Sequence, residues 1–291
     1  MGETRTTGFY FLASFFAAYV LFLYGPMIAI FVLSFQGPQG GLTFPMNGFS
    51  FHWFGKLFAG NGVVDIGSAF QRSLALGLVV MILTVIISVC AGLAFRKKFW
   101  GAAMLFYVAI ASLIVPSIVT SLGIALEFRV VDDVMRGTFF PHWDTGMGLF
   151  TSGLGAHLSW TLPFGLLIMF AIFNRFDSRL EEAARDLGAT PWQSFRHVIL
   201  PIILPSVIGI GLFGFTLSWD ELARSSQAIG PVNTLPLELQ GLTTTVTNPD
   251  IYALGTMISA ISFVVIGVAL ATIIVLQNRR KRLGSDASKG F

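Results

Sequence analysis

The chain has 291 residues, 54% of them hydrophobic and only 11% charged, with a net charge of +3 and a mean hydropathy of +0.76. A soluble domain carries about 25% charged residues, so these charges are too few to cover a water-facing surface, and lipid is the expected main solvent. The positive excess is no nucleic-acid signal, because the basic residues cluster in loops between apolar runs. The single cysteine, Cys90, cannot form an internal disulfide or, alone, a metal site, and packing is its expected role.

A spanning helix needs about 20 mostly apolar residues. Six stretches qualify in chain order: 9–35, 69–95, 101–127, 149–173, 200–220 and 252–276. The first follows a short polar terminus bearing Arg5, but it is far longer than the roughly 7–15 apolar residues of a signal peptide. It is read as a retained first span. The loop from Gln36 to Ser68 is rich in glycine and aromatics, and Phe51, Trp53, Phe54 and Phe58 suit an interfacial belt. The stretch Glu127 to Asp144 carries Arg129, Asp132, Asp133 and Arg136 and reads as an enlarged loop.

Loop charges set the orientation. Arg96, Lys97 and Lys98 lie between spans two and three; Arg175, Arg179, Arg185 and Arg196 between four and five; Arg279, Arg280, Lys281 and Arg282 after span six. The alternate loops are poorer in such residues, with Lys56, Arg72, Arg129, Arg136 and Arg224. The positive-inside rule therefore puts both termini in the cytoplasm, and six crossings agree with that. No internal repeat or soluble domain is evident, so residues 1–291 are expected to form a single transmembrane domain.

The segment between spans four and five is too polar for a span and too patterned for a simple loop. Ser178 with Glu181 fits a capping box. Leu180, Ala183, Ala184 and Leu187 then fall at i, i+3, i+4 and i+7, which gives one narrow apolar face. Gly188 suits the left-handed residue that ends a helix. Thr190, Pro191 and Gln193 predict a second N-terminus, with Trp192, Phe195 and Ile199 on one side. Pro201 and Pro205 open span five, where proline is tolerated or kinks the helix. Two short, separately capped helices at the cytoplasmic surface are expected. Arg185, Arg196 and His197 would suit an amphipathic connector lying on lipid. Glu181, Glu182 and Asp186 would be repelled by anionic lipid and suit a docking element.

The run Glu182-Ala183-Ala184-Arg185-Asp186-Leu187-Gly188-Ala189, continuing to Phe195 and Ile199-Leu200-Pro201, resembles the EAA motif of ABC importer permeases. The resemblance covers about residues 9–276. It implies an all-α integral membrane fold: six transmembrane helices with a cytoplasmic coupling helix between helices four and five, the type I importer architecture. It also implies that segment 178–201, with Glu182, Ala183, Ala184, Asp186, Gly188 and Pro201, docks into a dimer of separate ATP-binding subunits. The further implied partners are a second permease subunit, a different homologue, and a periplasmic or lipid-anchored solute-binding protein, in the inner membrane. No G-x-x-x-x-G-K-[ST] phosphate loop occurs in the chain, so ATP belongs to a separate polypeptide, and no cofactor is expected.

Asp220 and Glu221 end span five. At 1.5 Å per residue, Asp220 lies roughly 28 Å from Pro201, towards the outer side. Acids beside a span are functional candidates, for a gate or a cation site, and pairing of either one with Arg224 is the structural alternative. The run from Phe215 through Ser218, Trp219, Asp220 and Glu221 resembles the spermidine/putrescine-type branch of these permeases. So do Gly230-Pro231, Thr234-Leu235-Pro236-Leu237, and Asn248-Pro249 with Ala253-Leu254. In that branch the acidic pair is implicated in polyamine passage, and Trp53 sits where it carries an outer-loop tryptophan. The order of features fits the second of its two paired permeases. One departure stands out: Pro116 is followed by Ser117, where the branch commonly has an acid. A polyamine is the expected solute, with a less cationic one, an amino acid derivative or aminophosphonate, as the alternative.

Two other classes are disfavoured. His52, His142, His157 and His197 form no H-x-x-x-H pattern, which leaves a membrane enzyme without a site. An ion-coupled secondary transporter predicts mid-span acids and an internal repeat, whereas the acids here lie at span ends.

Overall fold

The computed structural model describes residues 7–59, 65–245 and 249–288. Arg5 and Asn248 lie outside these, as do the side chains of Phe58 and of Arg279, Arg280, Lys281 and Arg282. Among the described residues every regular element is helical. Five helices among the described residues are long and apolar enough to cross a membrane: α1 (Thr7–Leu33), α3 (Ile66–Phe95), α6 (Leu154–Phe173, entered through a π turn at Leu149–Gly153), α9 (Leu200–Trp219) and the first part of α12 (Asp250–Ser288). Short α2 (His52–Phe58) lies between α1 and α3. The third expected span is divided into α4 (Ala102–Ala111) and α5 (Ser117–Val134).

That division has a local cause. Pro116 pushes Val115 away from helical geometry and cannot donate a backbone hydrogen bond. Ser112 closes α4, its hydroxyl donating to the carbonyls of Ala109 at 2.9 Å and Ser159 at 2.7 Å. The Ser112 hydroxyl thus ties the last turn of α4 to α6, at the Ser159 carbonyl that Pro163 leaves without its helical donor.

Contacts divide the chain into two compact units, one of residues 1–67 and 239–261, the other of 68–238 and 262–291. In the first, buried Gln36 organises the loop after α1. Its amide donates to the Gly41 carbonyl at 3.1 Å and its Oε1 accepts the Asn47 N–H at 2.7 Å. Phe35 stacks on Phe49 and meets Phe51 and Phe54. Trp53, expected in an interfacial belt, is instead 6% exposed.

In the second unit α6 packs against α9. Val89, Met169, Ile199, Ile203 and Ile210 form a buried core between α3, α6 and the start of α9. Small residues let these helices approach, the usual device in membranes, where burial against another helix gains little over lipid. A Cβ at Gly165 would overlap Ser88 Oγ. Thr84 and Thr161 share a buried hydrogen bond of 2.7 Å between α3 and α6. Cys90, expected to pack, is exposed on α3.

The stretch 127–148 is more than a loop. α5 runs on to Val134 and a π turn at Met135–Phe139 follows. Buried Asp132 gathers the returning segment, accepting from Trp143 Nε1 at 2.9 Å, Thr145 Oγ1 at 2.6 Å and the Gly146 N–H at 2.6 Å. Arg136 donates to the carbonyls of Trp143 and Asp144.

The tightness at Gly165 is testable. Gly165→Ala should cost about 1–3 kcal/mol through overpacking, read as a lower thermal midpoint in detergent. Gly209→Ala, whose Cβ meets nothing within 4 Å, should hold the midpoint or raise it, since alanine is the better helix former.

Candidate coupling segment and polar cluster

Segment 178–201 forms as helices, with one cap as expected and one not. α7 spans Arg179–Asp186. Ser178 makes no side-chain cap. Asp177 takes that role, its Oδ1 accepting the Arg179 N–H at 3.1 Å and the Arg179 Nε–H at 3.0 Å. The carboxylate one residue earlier outcompetes the hydroxyl and frees Glu181. The end of α7 follows the sequence reading: Gly188 has φ +83°, its N–H donates to the Arg185 carbonyl at 2.8 Å, and the Ala189 N–H to the Ala184 carbonyl at 3.0 Å. These two bonds are the glycine-terminated Schellman pattern.

The second helix, α8 (Pro191–Ser194), carries a complete capping box. Thr190 Oγ1 accepts the Gln193 N–H at 3.3 Å and Gln193 Oε1 accepts the Thr190 N–H at 2.8 Å. It is not a separate helix, however. A π turn at Phe195–Ile199 joins it to α9, so helical backbone runs from Pro191 to Trp219. Pro201 has no N–H for a carbonyl of the preceding turn, and widening that turn accommodates the loss without a break.

Glu181 fastens this element. Its Oε2 accepts from Arg96 Nη2 at 2.7 Å, and its Oε1 from Arg185 at 2.7 Å. Arg96 follows α3 and lies 5.2 Å and 5.1 Å from the ring centroids of Phe173 and Phe176, at the end of α6. One guanidinium thereby ties α7 to the ends of two spans. Burial alone would push the Glu181 carboxyl up. The hydrogen bond and charge of Arg96, followed by those of Arg185, outweigh burial and hold it below the ordinary value of 4.5. The apolar face of α7 finds no cover: Leu187 is 89% exposed. Glu182, Ala183 and Asp186 are exposed, with Ala184 and Pro201 half-buried.

A second constellation gathers at the far end of α9. Ser218 is buried, and its hydroxyl pairs with His157 Nδ1 at 2.8 Å. His157 Nε2 lies 3.0 Å from Ser225 Oγ, which itself donates to the Glu221 carbonyl at 2.7 Å. That hydroxyl can then only accept from the ring, which places a proton on Nε2. Arg224 is fully buried. Its Nη1 donates to Ser117 Oγ at 2.8 Å, its guanidinium lies 4.6 Å from the Trp160 ring centroid, and Glu221 Oε2 is 3.8 Å away. Glu221 Oε1 also accepts the Arg224 N–H at 2.9 Å. Of the two acids, Glu221 is the one neutralised by Arg224. Asp220 is exposed at the end of α9, with no ion pair among the described residues.

Residues 84–283 match the family described as binding-protein-dependent transport system inner membrane component. The chain belongs to this family. The spermidine/putrescine transport system permease protein PotC of Haemophilus influenzae is 31% identical, over 88% of this chain and 93% of that protein. The putrescine transport system permease protein PotI of Escherichia coli is 30% identical, over 81% of each. Solved structures share the fold: a bacterial ABC transporter involved in import of the acidic polysaccharide alginate matches with a TM-score of 0.67 at 16% identity, over 94% of both chains. The MetNI methionine ABC transporter matches with a TM-score of 0.54, over 71% of this chain. The protein is thus a multi-pass inner-membrane permease component of a type I ABC importer, with no ATPase of its own.

In this permease Ser117, Ser218 and Glu221 meet in one cluster, Asp220 stands at its edge, and Trp53 belongs to the other compact unit. The residues that sequence reasoning missed are Arg96 and Glu181 as the fastening pair, and His157, Trp160 and Ser225 in the cluster. A lone histidine in an apolar span was the available signal for His157.

The pair at Glu181 sets a pH dependence. Its folded value is depressed, so its stabilisation is present above about 4.5 and is lost as pH falls through the lower folded value. The thermal midpoints of wild type and Glu181→Gln should differ most near pH 6 and converge below 4.5. Arg96→Ala should cost about 1–3 kcal/mol by leaving Glu181 Oε2 without its donor.

Proposed function

We propose that the permease, residues 1–291 as a single transmembrane domain, imports a polyamine cation. Segment 178–201 docks on a dimer of separate ATP-binding subunits, and a second, different permease subunit encloses the path. Both termini are cytoplasmic, a periplasmic or lipid-anchored binding protein delivers solute on the other face, and ATP is bound by the partner, with no cofactor held by this chain. The similarity to the spermidine/putrescine and putrescine permeases, over most of the chain, carries the cargo assignment. Asp220, exposed and without an ion pair among the described residues, supplies the chemistry that an ammonium needs.

Docking is supported by what the fold leaves free. Glu182, Ala183 and Asp186 are exposed beside uncovered Leu187. The helix from Pro191 into α9 gives a push at the segment a stiff route to Asp220 and Glu221. Gly188→Arg places a side chain at φ +83°, a strain of about 1–2 kcal/mol. It should uncouple ATP hydrolysis from uptake while the protein stays in the membrane. Solute-stimulated ATPase activity at the wild-type level in that variant would count against docking.

A second reading, a less cationic solute, draws on one observation. Where the polyamine branch commonly has an acid, Ser117 stands and accepts from the buried Arg224 guanidinium. A hydroxyl committed to a guanidinium offers a diamine no anion at that point, which suits a less cationic solute. Uptake of labelled putrescine and of a labelled amino acid derivative by the complete importer in proteoliposomes decides between them. The polyamine reading expects saturable putrescine uptake that falls about tenfold or more in Asp220→Asn, the effect of ~1.4 kcal/mol of lost interaction. Amino acid uptake without putrescine uptake reverses the assignment.

A further inference from the structure

Trp53 and Lys56 stand three residues apart on α2, a spacing that puts them on one face. Lys56 Nζ lies 5.1 Å from the Trp53 ring centroid and 3.0 Å from Asp250 Oδ2. Asp250 opens α12 and belongs with α2 to the same compact unit. Trp53 is 6% exposed and Asp250 8% exposed. The lysine side chain is the accessible member, 36% exposed. The second oxygen, Asp250 Oδ1, is buried and has no hydrogen-bond partner among the described residues.

A carboxylate beside an aromatic face is the arrangement that holds a primary ammonium, through charge-assisted hydrogen bonds and attraction to the ring. Here the ammonium is the chain's own. A structural clip alone would be expected to satisfy both carboxylate oxygens, since a buried acceptor without a donor is costly. Oδ1 is instead left with capacity for a further N–H. An ammonium free of the α2 backbone could turn its three donors towards both oxygens, which a tethered lysine does not do.

We propose that Trp53 and Asp250 form an ammonium site in which Lys56 is a resident competitor, and that an amine end of the solute binds there by displacing it. The identification of the displacing amine with the solute rests on the polyamine reading; the site itself does not. Lys56 then sets selectivity. A tethered cation competes at a high effective concentration, so a weak monoamine is rejected, whereas a diamine that gains a second contact elsewhere can displace it.

Butylammonium, titrated into the full-length permease in detergent, tests the site without reference to cargo, with tryptophan fluorescence as the signal and Trp53→Phe as the control that removes it. Wild type should respond weakly. Lys56→Met should lower the half-saturating concentration about tenfold or more, Lys56→Arg should restore the wild-type value, and Asp250→Asn added to Lys56→Met should abolish the response. Lys56→Gln serves if the methionine variant does not fold. Equal half-saturation in wild type and the uncharged variants, or a response that survives Asp250→Asn, overturns the proposal. A butylammonium response as expected in a permease that takes up no putrescine would leave the site standing and sink the polyamine reading; putrescine uptake without that response does the reverse.

Discussion

Inside hydrocarbon an unpaired backbone N–H or C=O costs several kcal/mol, and the architecture of this permease follows from avoiding that cost. Apolar runs become helices because a helix satisfies its own backbone. Each proline then poses a local problem, and the chain answers in two ways. At Pro116 the helix stops, and Ser112 ties its last turn to the Ser159 carbonyl on α6. At Pro201 the helix continues, because the preceding π turn absorbs the missing donor. The first answer yields a broken third span, and the second a rod from the capping box at Thr190 to the acids at 220 and 221.

Charge obeys a related constraint. Two cations that reach into the structure meet an acid far away in sequence: Arg96 meets Glu181 across 85 positions and Lys56 meets Asp250 across 194. Such pairs add little as surface ion pairs. Partly buried, they fix which elements touch. Arg96 works this way, because its aromatic neighbours on α6 and its acid on α7 leave the guanidinium little freedom.

Sequence pattern disclosed what depends on neighbours within about one turn. The capping box at Thr190, the glycine stop at Gly188 and the apolar periodicity of the spans all involve residues three or four apart, where spacing is geometry. The failures share the opposite character. Ser178 lost its cap to Asp177 because two local acceptors competed and spacing alone does not rank them. Trp53 was read as interfacial because Asp250, the acid paired with the Lys56 that lies over its ring, is almost two hundred residues away. Arg224 reached Ser117 across 107 positions, and the inward face of an apolar span looks like its outward face in sequence, so His157 was overlooked.

These features bear on how a push could cross the membrane. A loop between a docking helix and a span would dissipate displacement in its own backbone freedom. Here α7 is held to α3 and α6 through Glu181 and Arg96, while α8 is fused to α9. The only non-helical joint between them is the tight turn from Leu187 to Thr190, and Gly188 sets its shape. Force applied at the exposed Leu187 face therefore has two routes, a clamp into α3 and α6 and a rod into α9. Relative motion of those helices must be resolved at their close packing around Gly165 and at the polar cluster of His157, Ser218 and Arg224. A cluster held by several hydrogen bonds of 2.7–3.0 Å has discrete alternatives rather than a continuum, which is the property that turns a small displacement at one end into an open or shut state at the other.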